Sequence, residues 1–131
     1  MKIVVIDGQG GKMGRLIIEE IRTKCTAAEI IAVGTNSIAT SSMLNAKPGA
    51  GATGENAVIA NCRNADYIIG PIGIVIADAL HGEISPAMAA AVGQSPAKKI
   101  LLPVSRCNTV IAGARDMPLP ELIRLIPDEL V

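Results

Sequence analysis

IVVIDGQGGKMGRLIIEEIRTK, residues 3–24, is the stretch that decides the architecture. Ile3 to Ile6 is an unbroken β-branched run ending at Asp7, the pattern of a strand covered on both faces. GQGGKMG then turns the chain, and in RLIIEEIRTK the apolar Leu16, Ile17 and Ile21 recur at helical spacing. The reading is strand, glycine turn, helix. Downstream, Glu29 to Gly34 (EIIAVG) forms a second strand, and Asn36 or Ser37 caps a helix that runs through about Asn45, where Pro48 and Gly49 end it. Two strand–helix units in succession imply a right-handed crossover and a parallel sheet.

Beyond them, AKPGAGATG (46–54) reads as a flexible loop. Thr53 followed by Glu55 opens a short helix with Val58, Cys62 and Ala65 on one face, in competition with a strand over AVIANC. Asp66 to Gly70 is a third strand, and Ile74 to Leu80 makes a helical turn or two. Ser85 with Pro86 starts a helix that stops at Gly93, a cap followed by a first-turn proline. Lys99 to Val104 is a fourth strand. After a polar turn at residues 105–108, Thr109 to Ala112 is predicted as an antiparallel edge strand, because so short a link cannot make a parallel crossover. A last helix runs from Pro120 to about Ile126. No internal repeat or linker divides the chain. The expectation is α/β: one domain over 1–131, a three-layer Rossmann-like doubly wound sheet, mostly parallel, of four to five strands.

The 131 residues are too few for a cofactor domain joined to a separate substrate domain. Half the residues are apolar, yet Phe and Trp are absent and Tyr67 is the one tyrosine, so the core must be built from Ile, Val, Leu, Ala and Met. Twelve basic and twelve acidic residues balance without any run of one sign, which argues against nucleic acid as a partner. A neutral, strongly aliphatic chain leaves a homo-oligomer open, with apolar area hidden between subunits. Cys25, Cys62 and Cys107 are far apart, without zinc or CxxC spacing, and read as reduced cytoplasmic thiols. Ile3 to Ile6 is too short an apolar run for a signal peptide. Tyr67 to Ala77, the longest apolar stretch, holds Gly and Pro and falls short of the roughly 18 residues that span a bilayer. A cytoplasmic protein with no membrane partner is expected.

In an open α/β sheet the ligand crevice lies beyond the carboxyl ends of the strands. After the first strand come Gly8, Gln9, Gly10, Gly11, Lys12, Met13 and Gly14, where glycine permits close backbone approach and the following helix presents unpaired N–H groups to an anion. The spacing is GxGxxxG rather than GxGxxG, and the Ser or Thr of a P-loop is missing. Two readings stand: a phosphate cradle, or glycines that let helix and strand pack closely. Lys12 is either a phosphate contact or a solvated lysine. At the end of the second strand, where an acid would hold the ribose of NAD, the chain reads Gly34, Thr35, Asn36, Ser37. Thr35 and Asn36 either bind phosphate or cap the helix. Gly70, Pro71 and Gly73 bring backbone toward a ligand ring or sugar, and Arg106 either pairs with a second anionic group or is a turn residue. No catalytic constellation emerges: His81 is a loop histidine that could move a proton, Asp7 could hold a metal or cap the glycine-turn amides, and Cys107 lacks a histidine nearby in sequence. No metal site is predicted.

The segment IDGQGGKMGRLI resembles the phosphate loop of dihydrodipicolinate reductases, which implies NAD(P) held by Gly8, Gly10, Gly11, Lys12, Met13 and Gly14. The likeness covers about the first 20 residues. The chain lacks that family's substrate domain and histidine-rich motif, so the reaction does not carry over. Over nearly its whole length the chain resembles a family of short, uncharacterised bacterial proteins with blocks such as GQGG, VGTNSIATSSML, GATGENA, GPIGIVIADAL and GEISPAMAAAVGQS. That resemblance implies a bacterial cytosolic setting and supplies no mechanism. The expected function is binding of a phosphate-bearing small molecule, a nucleotide or a dinucleotide of the NAD(P) kind. The alternatives are a minimal NAD(P)-dependent reductase or nucleotide-processing enzyme, and a non-catalytic oligomeric scaffold.

Overall fold

A computed structural model of the chain describes residues 1–104 and 108–130. Five strands, β1 (Lys2–Asp7), β2 (Glu29–Gly34), β3 (Ala50–Thr53), β4 (Tyr67–Pro71) and β5 (Lys98–Leu102), make one sheet in the order β3-β2-β1-β4-β5. Every pairing is parallel. Along β1 successive side chains feed opposite layers, which is why its apolar run is unbroken. Ile3 and Val5 pack with Ile17, Ile18 and Ile21 of helix α1 (Lys12–Lys24), Met43 of α2 (Ser37–Leu44) and Leu122 and Ile123 of α5 (Leu119–Arg124). Val4 and Ile6 pack with Val58 and Cys62 of α3 (Glu55–Cys62) and Met88, Ala89 and Val92 of α4 (Pro86–Gln94). The sheet is thus covered on both faces, the three-layer doubly wound arrangement expected. Ile17, Ile18 and Ile21 are fully buried, and at about 1.5–3 kcal/mol each their burial holds α1 to the sheet far more firmly than helix propensity does.

Two expectations are corrected. Residues 50–53, inside the predicted loop, form the edge strand β3, paired from Ile31 with Ala50 to Gly34 with Thr53. AGAT carries no strand pattern because α2 lies against it: a Cβ on Gly51 would sit 2.8 Å from Leu44 Cδ2. Small residues are demanded by packing, and the strand is formed by pairing with β2 rather than by propensity. The predicted antiparallel strand over 109–112 is not formed. Among the described residues β5 pairs with β4 alone and ends the sheet, and Val110 is 87% exposed.

Residues 55–62 form the helix read for them rather than the competing strand, with Gly54 instead of Thr53 in the cap position. Thr53 ends β3, its hydroxyl 2.7 Å from that of Thr40. After β4 a 3-10 turn covers Ile72–Val75, and a series of tight turns over residues 76–84 follows before α4. Helix α4 begins as expected, with the Ser85 hydroxyl accepting from the Met88 N–H at 3.2 Å and Pro86 in the first turn.

Candidate functional site

The strand order reverses between β1 and β4: the chain leaves β1 toward β2 on one side and leaves β4 toward β5 on the other. That divergence opens a crevice at the carboxyl ends of the strands. A cleft of about 150 Å³ lies there, lined by residues 7–13 together with Pro71 and Leu80. Six of the seven glycine-loop residues predicted for the site therefore border one cleft, and Pro71 joins them from β4.

Within the loop, most backbone donors are already committed. Asp7 is buried, and its carboxylate accepts from the Gly8 N–H at 2.8 Å and, across the turn, from the Gly14 N–H at 2.7 Å. Helix α1 has no side-chain cap of its own and no acid in its first turn, so Asp7 does that work from the end of the strand. Burial pushes the Asp7 carboxyl above its ordinary value, the neighbouring Glu83 charge adds to the rise, and the two amide bonds offset only part of it. Gly11 N–H is taken by the Gly8 carbonyl. The N–H groups of Gly10, Lys12 and Met13 remain, without a protein partner among the described residues.

The glycines divide by role. Gly11 adopts φ +75°, and a Cβ there would lie 2.5 Å from the Ala39 carbonyl oxygen. Gly14 lets α1 approach Met43 and the Asp7 Cβ, and Gly70 lets β4 pass the Ile6 carbonyl. These glycines serve packing. Gly10 is different: its φ lies outside the left-handed region, and a Cβ on it would meet nothing within 4 Å. Open space beside three unpaired N–H groups fits an anion, and the exposed Lys12 stands at the same rim.

Sequence reasoning missed Glu83. Its Oε1 accepts from the Gln9 N–H at 2.9 Å, the Thr35 hydroxyl at 2.6 Å and the Asn36 side-chain amide at 2.8 Å. Asn36 also donates to the Gln9 carbonyl at 3.0 Å, while its Oδ1 caps α2 through the Ala39 N–H. Thr35 and Asn36 are thus brought to the glycine loop through a residue about fifty positions away. Gly8 makes this possible, since a Cβ there would lie 2.9 Å from Glu83 Oε1 and 2.7 Å from the Thr35 hydroxyl. Partial burial pushes the Glu83 carboxyl up, but the bonds from Thr35, Gln9 and Asn36, with nearby His81, outweigh it and hold the group below its ordinary value. No spacing pattern announces Glu83. The one trace is an acid in a glycine turn, HGE, in a chain whose second strand ends without one.

The segment that carries Glu83 is held firmly. Asp78, Leu80 and His81 all have positive φ, at 67°, 56° and 57°. Such a backbone costs each residue roughly 1–2 kcal/mol. Burial of Leu80 and Ile84, the Asp78 N–H bond to the Ile84 carbonyl at 2.7 Å and the three bonds to Glu83 hold it in place. His81 itself is exposed, and Gly73 is buried within the 3-10 turn. Arg106 and Cys107 lie outside the described residues. Among the described residues no group of three or more His, Cys, Asp or Glu side chains could hold a metal ion, and no helix is long and apolar enough to cross a membrane.

Fold and loop together define an α/β protein of Rossmann-like topology with a small cleft at its strand switch point. The chain belongs to the family described as Domain of unknown function (DUF3842), whose model matches residues 2–130. Comparison with curated proteins and with solved structures gives no match.

Proposed function

We propose that this protein binds a nucleotide, with its phosphate or pyrophosphate in the cleft after β1. The observation that carries the reading is that the N–H groups of Gly10, Lys12 and Met13, which have no protein partner among the described residues, lie beside open space at Gly10. Both lie at the point of the sheet where an open α/β fold leaves its crevice. The cleft, about 150 Å³, is smaller than the roughly 300–1,000 Å³ of a pocket that encloses a whole ligand. It suits the phosphate group, with the rest of the nucleotide lying along the strand ends past Thr35 and Asn36 on one side and Pro71 on the other. A dinucleotide of the NAD(P) kind, held this way, would supply hydride chemistry. The residues of this chain would bind and orient it through the loop amides and Lys12.

Thermal denaturation of the purified protein with NAD, NADP, their reduced forms, ATP, GTP, FMN and S-adenosylmethionine tests the reading. A ligand present at 100 times its Kd stabilises by about 2.7 kcal/mol. A rise in Tm of several degrees with a phosphate-bearing member of the set, abolished by Gly10→Ala, supports nucleotide binding. Unchanged melting with all of them overturns it.

A further inference from the structure

We propose that Glu83 selects the ligand at the sugar, accepting a nucleotide whose ribose carries free hydroxyls and rejecting one with a 2′-phosphate. The inference rests on the nucleotide reading above. In this topology the ribose is held at the end of the second strand by an acid that accepts from its hydroxyls. Here that strand ends in Gly34-Thr35-Asn36, with no carboxylate. The tertiary fold delivers one nonetheless: Glu83, from the turn before α4, docks on Thr35 and Asn36 themselves.

All three described bonds to this carboxylate fall on Oε1. Oε2 has no protein partner among the described residues. The side chain is therefore fixed by one oxygen while the other stays available as an acceptor. A carboxylate oxygen accepts a hydroxyl proton well, whereas a phosphate ester at the same carbon offers no such donor and brings like charge. No Lys or Arg among the described residues bonds to Glu83, Thr35 or Asn36, so among them no permanent cation is held there to offset that charge; His81 is the nearby titratable cation. Gly8 and the left-handed turn at residues 80–82 place the group and do not let it swing far: Leu80 and Ile84, on either side of it, are both buried.

Calorimetric titration with two matched pairs, NAD⁺ with NADP⁺ and AMP with adenosine 2′,5′-bisphosphate, tests this on the wild-type chain and on Glu83→Gln. The carboxamide keeps an oxygen for Gln9, Thr35 and Asn36 but replaces the free acceptor with a donor and removes the charge. Wild type is expected to bind the unphosphorylated member at least about tenfold more tightly. In Glu83→Gln the gap should shrink to within about threefold. A wild-type preference for the 2′-phosphate, or no preference, overturns the proposal even if the variant does not fold. So does a discrimination ratio that Glu83→Gln leaves intact. If Glu83→Gln instead tightens both members of a pair equally, Glu83 is a blocker of the loop rather than a reader of the sugar. Binding without discrimination ends this inference alone; binding of neither pair ends it too, and ends the nucleotide reading with it if the melting curves above are also unchanged with every ligand.

Discussion

Gly10 and Gly11 are neighbours in the same loop, and the structure assigns them opposite consequences when each is changed to Ala. At Gly11 the substitution places a residue with a side chain at φ +75° and drives its Cβ to 2.5 Å from the Ala39 carbonyl oxygen and 2.8 Å from the Ala39 Cα. The left-handed backbone costs roughly 1–2 kcal/mol. The clash is with backbone rather than with the end of a side chain, so it adds an overpacking cost of roughly 1–3 kcal/mol. The sum is about 3 kcal/mol. With a urea slope of about 2 kcal/mol/M for a small domain, the midpoint should fall by about 1.5 M. At Gly10 nothing lies within 4 Å of the added Cβ and φ is outside the left-handed region. Gly10→Ala should therefore leave stability unchanged or raise it by up to about 1 kcal/mol through the unfolded chain, about 0.5 M in the midpoint. Its cost should appear in ligand binding alone, because the methyl would stand where the proposed phosphate meets the amides. Paired urea titrations read out both variants. A Gly11→Ala midpoint within about 0.3 M of wild type would refute the steric reasoning. So would a Gly10→Ala loss as large as that of Gly11→Ala.

Further outcomes follow from the buried polar groups. Asp7→Asn leaves one of the two amides it serves, Gly8 or Gly14, facing an amide donor, and should cost about 1–3 kcal/mol in urea unfolding; a neutral result would show that the strand-end cap is dispensable. The two carboxylates also affect the pH dependence of stability with opposite signs. Glu83, held below its ordinary value of 4.5, contributes stability that is present above that pH and lost as pH falls through its folded value. Asp7, raised above 3.8, contributes stability that is complete below that pH and lost as pH rises through its folded value. Urea midpoints measured from pH 7 to 3 should thus differ between wild type and Glu83→Gln in a way that changes with pH only in the acid range below about 4.5. The corresponding difference for Asp7→Asn should change as pH rises above 3.8, and two flat difference curves would contradict both assignments. Finally, burial pushes the Cys62 thiol up to about 11, with Lys99 and Lys2 only partly opposing it. At pH 8 a thiol reagent should label the half-buried Cys25 while sparing Cys62, as read by peptide mass mapping; equal rates would place Cys62 outside the core.

The first strand, the glycine turn and α1 could be read directly from residues 3–24, because local signals there agree: β-branched run, glycine cluster, helical spacing. So could β2, the capped starts of α2 and α4, and the strands near Tyr67 and Lys98, all of which carry apolar patterns that persist in the fold. From these followed the parallel, doubly wound class and the location of the crevice. Local signals failed where a neighbour rather than the chain itself sets the conformation. AGAT becomes a strand because β2 offers its edge and Leu44 leaves room only for small residues, and Thr109 to Ala112 stays irregular despite its composition. The site divided in the same way. Its glycine loop was visible in order along the chain, but which glycine faces open space depends on what α2 and β4 bring against it. Glu83 became part of the site only through three hydrogen bonds spanning distant positions. Sequence alone determines what short-range sterics and periodicity can encode; the acid beside Thr35 and Asn36, and the amides beside Gly10 that no described residue takes, were decided by tertiary packing, since whether a polar group is satisfied depends on every element around it.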